Sequence, residues 1–239
     1  MEKLENHTLN RTAAVCASSG AALTAISWGI HPEIMDPAAY LPIVAGASHF
    51  VAIHWGLIVG MVLMQFGFAA VPLAFGDQAA SRHAGGWARL GLHALLTGLV
   101  LWIGVFMTEV ALKPLADASR TDPTLIGGAL ALSNLQDAGA TAASFVYSLG
   151  VALLGIALLA SQRFPRWLGA SGLALGAITS LGLGIPRMLL DKSALTEKIG
   201  SPILGVLILA WVFMLGVMLW RTAGARQPRR RATGQLDTP

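Results

Sequence analysis

The chain has 239 residues, 55% of them hydrophobic and only 12% charged, with a formal net charge of +4. Its mean hydropathy is +0.66. The charged share is about half that of a soluble globular protein, too little to cover the surface of a soluble fold this long. Composition therefore argues against an ordinary cytosolic enzyme, a disordered protein and a nucleic-acid-binding domain, and points to an integral membrane protein.

A membrane-spanning helix needs about twenty mostly apolar residues. Residues 13–30, 43–75, 87–112, 138–160, 167–190 and 203–220 qualify. Backbone exposed to lipid must satisfy its own hydrogen bonds, and these segments lack the period-two alternation of barrel strands. The expected fold is all-α: six transmembrane helices in one bundle over residues 1–221, then a disordered basic tail over 222–239.

The first segment follows a polar stretch ending at Arg11 and is followed by His31-Pro32-Glu33 rather than a small-residue cleavage pattern, so it reads as a retained span. Cys16 within it is the sole cysteine, which excludes an intrachain disulfide and predicts a small buried hydrophobe. The second segment is too long for one upright crossing. It must tilt, or its first turns lie in the outer headgroup layer, between Pro42 and Pro72. The longest loop, 113–137, contains an apolar stretch at 125–135 that suits either an interfacial helix or a loosely ordered loop.

Lys3, Arg11, Arg82, Arg89, Arg163 and Arg166 fall on one side of this topology together with Arg221, Arg226, Arg229, Arg230 and Arg231 of the tail; Lys113, Arg120, Lys192 and Lys198 fall on the other. The bias predicts a bacterial-type cytoplasmic membrane with both termini inside. The tail suits anionic lipid headgroups and lacks the interleaved aromatics of a nucleic-acid ligand. Trp28, Trp87, Trp102, Trp167 and Trp220 near the span ends suit an aromatic belt, with Trp55 and Trp211 deeper.

Gly172, Gly176, Ser180 and Gly184 recur every four residues along the fifth span. Small residues at this spacing let helices approach closely in lipid. The stripe predicts the packed centre of the bundle or, as an alternative, a face for a second copy or a membrane partner.

Ionisable groups inside a membrane are costly, so each is a candidate for function. His49, His54, Glu109, Asp137 and Arg187 fall in the outer half by this topology, and Tyr147 lies deeper. Together they define a candidate polar cavity open to the outside. His93 lies toward the inner side. Each also has a plain reading. Glu109 can pair with Lys113 and Arg187 with Asp191 at helical spacing, Arg187 can cap carbonyls freed at Pro186, and Asp137 can face a helix start. His49 and His54 point about 140° apart on a helix and cannot chelate one ion as an i, i+4 pair would. A metal site from His49 or His54 with Glu109, or a haem, is the alternative use of these groups.

The run Arg163-Phe-Pro-Arg166-Trp167-Leu168-Gly169, with six spans, a polar first outer loop and a last span ending in Trp220-Arg221, resembles a bacterial family of six-helix integral membrane proteins with no assigned function. The resemblance implies the fold over about residues 11–221 and no catalytic residues. The leading functional expectation is small-molecule binding or a transport-related role at the outward cavity. The alternatives are a metal- or haem-dependent membrane enzyme or redox protein using His49, His54 and Glu109, and a structural or regulatory subunit packed through its glycine stripe.

Overall fold

The computed structural model describes residues 2–32, 40–72, 79–161, 163–185 and 201–224, and these are all-helical apart from short turns. The long helices are α1 (Glu2–Gly29), α3 (Phe50–Ala69), α4 (Ala79–Ser119), α5 (Ile126–Ala160), α6 (Arg166–Ala177) and α7 (Ser201–Gly224), with a short α2 (Tyr40–Gly46) between α1 and α3. Among the described residues, Phe50–Ala69, His83–Ser119, Pro123–Ala160 and Pro202–Ala223 are long and apolar enough to cross a bilayer.

The long helices form a closed ring. Each packs on its chain neighbour, and α7 returns against α1. Close approaches fix the pairing as antiparallel. Ala17 meets Gly67 and Ser27 meets Gly56 across α1 and α3. Gly91 meets Leu154 and Gly98 meets Tyr147 across α4 and α5. Gly155 meets Leu173 and Gly176 meets Ser148 across α5 and α6. Between α1 and α7, Ser18 donates to the Phe213 carbonyl at 3.3 Å, and Arg11 lies over the Trp220 ring at 5.0 Å. One end of the ring thus gathers Arg11, Arg89, Arg163, Arg166 and Arg221, where α1, α4 and α6 begin and α5 and α7 finish.

Glycine makes this packing possible because a side chain would strike the neighbouring backbone. A Cβ on Gly98 would lie 2.6 Å from Tyr147 Cα, and one on Gly150 2.5 Å from Leu95 N. The stripe on α6 is divided between two neighbours. Gly172 faces the Trp211 indole of α7, and Gly176 faces Ala152 and Ser148 of α5. Beyond Ala177 the helix widens into π geometry over Ile178–Gly184. Thr179 and Ser180 donate to the Leu175 and Gly176 carbonyls there, at 2.8 and 2.7 Å.

Several expectations from hydropathy need correction. The segment 43–75 is two helices broken at 47–49, where Ala47 N closes on the Ile43 carbonyl and Phe50 N on the Ala47 carbonyl. The supposed loop 113–137 is mostly helix. α4 continues past Pro114 to Ser119, and α5 begins at Ile126 after a 3-10 turn over Pro123–Leu125, so 126–135 is the first part of α5 rather than a separate interfacial helix or a loop. The turn between them is capped by Asp122, which accepts from Thr124 N and Oγ1 at 3.0 and 2.6 Å. These bonds hold its carboxyl below the usual carboxylate range. With 41 and 35 residues, α4 and α5 are roughly 60 and 50 Å long, longer than a hydrocarbon core of about 30 Å. Each is therefore longer than one upright crossing, and the two share a tip at the turn between Ser119 and Ile126. There α2 lies against α4, and Leu41, Val44, Phe50, Leu112, Ala116 and Ala129 form a small core separate from the main one.

Candidate polar site at the bundle end

Three helix ends converge beneath α2. α1 runs out at Gly29, and the chain turns through Ile30 to His31. His54 is one turn into α3, and Glu109 lies on α4 three turns before its end. His54 is fully buried, Glu109 is 6% exposed, and the His31 side chain is 22% exposed. His31 Nε2 is 3.2 Å from His54 Nε2 and 3.9 Å from Glu109 Oε2, and His54 Nε2 lies directly against the same carboxylate oxygen. Among the described residues this is the one grouping of three His, Cys, Asp or Glu side chains close enough to share an ion.

The remaining ring nitrogens fix how the imidazoles present themselves. His54 Nδ1 lies 2.6 Å from the Phe50 carbonyl and His31 Nδ1 3.0 Å from the Pro32 carbonyl. A carbonyl only accepts, so each Nδ1 donates. A neutral ring then turns the lone pair of its Nε2 inward. The second Glu109 oxygen, Oε1, accepts from Gln136 Nε2 on α5. Gln136 Oε1 in turn accepts from the Tyr40 hydroxyl at 2.9 Å. Burial first, then the negative charges of Glu109 and Asp137, push the Tyr40 phenol up against the opposing effect of the Gln136 bond, which keeps it a neutral donor. Oε2 of Glu109 is buried without a hydrogen bond of acceptable geometry. With both rings neutral, three acceptor atoms point at one place; a ring carrying protons on both nitrogens instead donates from Nε2 to its neighbour.

Aromatic rings enclose the other side. Phe50 lies 4.1 Å from His54 and 6.1 Å from His31, centroid to centroid. Trp28 stacks on His31 at 6.3 Å and meets Trp102 edge-on at 6.2 Å, and Trp102 stacks on Phe106 at 5.3 Å. A dry wall of this kind strengthens every electrostatic contact next to it. On the rim, Lys113 donates to the Ala45 carbonyl at 3.2 Å and pairs with Asp117 at 2.6 Å, pinning α2 to α4. Lys113 therefore pairs with Asp117 rather than with Glu109.

Of the residues the sequence singles out, His54 and Glu109 meet. His49 does not join them. It is the exposed residue before α3, with no capping bond. Asp137 follows Gln136 and is half-buried well inside α5, not at a helix start. Tyr147 is buried beside Gly98, and its hydroxyl has no partner among the described residues. It lies eleven residues along α5 from Gln136, roughly 16 Å deeper into the bundle. Arg187 lies outside the described residues, as does the basic tail beyond Gly224; residues 222–224, expected in the disordered tail, are instead the last of α7. His93 is exposed on the outer surface of α4.

His31, Gln136 and Tyr40 are the members that sequence reasoning misses. The cost of burying charge flags only residues inside apolar stretches, and His31 sits in a polar turn. Antiparallel pairing of α1 and α3 is the available signal, since it sets the end of one helix beside the start of the other. Family models, curated proteins and solved structures return no match to this chain.

Proposed function

We propose that the protein crosses a bacterial cytoplasmic membrane six times with both termini inside, and that it binds a small cationic solute from the outside at His31, His54 and Glu109. The observation that carries this reading is the carboxylate of Glu109, buried with two imidazoles turned toward it and no Lys or Arg beside it among the described residues. A buried carboxylate of this kind is expensive unless a positive charge joins it. The cation-accepting end is also the one opposite the arginine-rich end, which supports an outward-facing site under the positive-inside rule. The ring closure of six long helices supports six passes. The basic tail is suited to anionic headgroups on the inner face.

A transport-related role is the leading form of this reading. Metal-dependent chemistry is the second, favoured by the two-histidine, one-carboxylate set. A subunit that docks partners through the α6 stripe has less support, because Gly172 and Gly176 are already covered by α7 and α5.

Two cysteine variants test the reading in a Cys16→Ala background. Thr121→Cys, on the exposed tip beside the site, is expected to react with a membrane-impermeant maleimide in intact cells. His31→Cys is expected to react more slowly from the same side. Reaction of Thr121→Cys only after the cells are permeabilised would put the site on the inner face and overturn the proposal.

A further inference from the structure

We infer that His31, His54 and Glu109 form a site for one divalent transition-metal ion of the zinc class. The inference rests on the cation-accepting reading above and names the cation. Two imidazoles and a carboxylate suit zinc and its neighbours in the first transition row, whereas magnesium and calcium require sets of oxygens. A thiolate set is excluded by position, because Cys16 lies fifteen residues back along α1 from His31, roughly 22 Å away.

The spacing fits the ion. Bonds of about 2.0–2.1 Å in a tetrahedral site put neighbouring ligand atoms roughly 3.3 Å apart. The His31–His54 separation of 3.2 Å is at that value, and the His31–Glu109 separation of 3.9 Å is somewhat wider. The His54–Glu109 contact is tighter and must widen as an ion enters. Glu109 Oε2, buried and without a hydrogen bond, already points there.

The atoms behind the ligands complete the case. Metal-binding histidines commonly donate their other ring N–H to a carbonyl or carboxylate, and ligating carboxylates are themselves hydrogen-bonded. Each of those bonds exists here: His54 to the Phe50 carbonyl, His31 to the Pro32 carbonyl, and Gln136 to Glu109 with Tyr40 behind it. A buried histidine donates to a carbonyl in any core, so the distinguishing feature is that the remaining Nε2 atoms and Glu109 Oε2 converge on one point. Three protein ligands leave a fourth position for water or solute, the pattern of an exchangeable or reactive ion rather than a closed structural one. His31, the one half-exposed ligand, marks the approach.

The test uses the full-length protein in detergent, stripped with a chelator and titrated with Zn²⁺ by calorimetry and with Co²⁺ by visible absorption. One equivalent per chain is expected, with the intense ligand-field bands of four-coordinate cobalt. Glu109→Gln, His54→Ala and His31→Ala are expected to lose stoichiometric binding, while His49→Ala and His93→Ala keep it. Gln136→Ala is expected to weaken binding by roughly ten- to a hundred-fold. If His54→Ala does not fold, the half-exposed His31→Ala and the near-isosteric Glu109→Gln decide. Failure of the folded wild-type protein to bind either ion, or binding unchanged in those variants, overturns the inference. Outside labelling of Thr121→Cys without metal binding would sink the metal alone and leave the outward-facing site standing.

Discussion

Around Gly60, Gly98, Gly155 and Gly176 the helices meet backbone to backbone, whereas around His54 and Glu109 they meet through rings, a carboxylate and a chain of hydrogen bonds. The first kind of contact tolerates no added atom and holds the ring at a fixed spacing. The second leaves polar atoms converging on a point that the chain itself does not fill. The same helices, α3, α4 and α5, take part in both. The glycine-packed body thus acts as a rigid frame, and the end beneath α2 is where that frame presents chemistry.

The largest expected effect is a break in the frame. Gly176→Leu would drive a side chain into the Ala152 and Ser148 backbone of α5. Overpacking commonly costs about 1–3 kcal/mol and more where backbone must move, so at least ~3 kcal/mol is expected here. The variant should fail to elute as a folded species in size-exclusion chromatography. Near-normal thermal stability would show that α5 and α6 do not approach this closely. His54→Ala tests the other region. In chelator it removes a fully buried ring that packs on Phe50 and leaves the Phe50 carbonyl without its imidazole donor, at a cost of about 2–5 kcal/mol. The loss in His54→Ala/Glu109→Ala should differ from the sum of the two single losses by at least ~0.5 kcal/mol, as thermal unfolding would show, whereas simple additivity would mean that the two side chains are not coupled.

That division also explains what the sequence reveals. Hydropathy locates the apolar segments, because burial in lipid is written into composition. It misjudges their ends. Lys113, Pro114, Asp117 and Arg120 look like a loop, yet α4 continues through the first three to Ser119, because α2 and α5 supply packing for Leu112 and Ala116. A proline costs a helix one internal bond and is not a certain stop. The spacing stripe of α6 is legible as packing, but its division between α5 and α7 depends on tertiary geometry. Sorting charges by depth brings His54 and Glu109 together. It wrongly adds His49, which differs from His54 by facing away, and passes over His31, whose placement in a turn carries no burial cost to notice.

Trp211 belongs to the frame alone. Its indole is 4% exposed, packs on Gly172 and donates to the Leu168 carbonyl at 2.8 Å. Trp211→Phe removes that bond and part of the ring, with an expected loss of about 2 kcal/mol. Metal affinity should not change, because α6 and α7 contribute none of the three ligands. A drop in both properties together would mean that the frame and the site are not separable as described.

Tyr40→Phe is the finest of these probes, because it deletes one oxygen and leaves the ring. The hydroxyl donates to Gln136 Oε1, and Gln136 donates onward to Glu109. A single neutral hydrogen bond is worth about 1 kcal/mol, and Gln136 Oε1 lies in a partly buried position where water can replace the phenol in part. Thermal stability should therefore fall by less than in Trp211→Phe. Without the phenol, the Gln136 amide is free to rotate, so Glu109 loses some of its orientation though not its donor. Zn²⁺ affinity should weaken only a few-fold, well short of Gln136→Ala. Equal losses from the two variants would mean that Tyr40 sets the position of Gln136 outright, which would move α2 from a cover over the site to part of the frame.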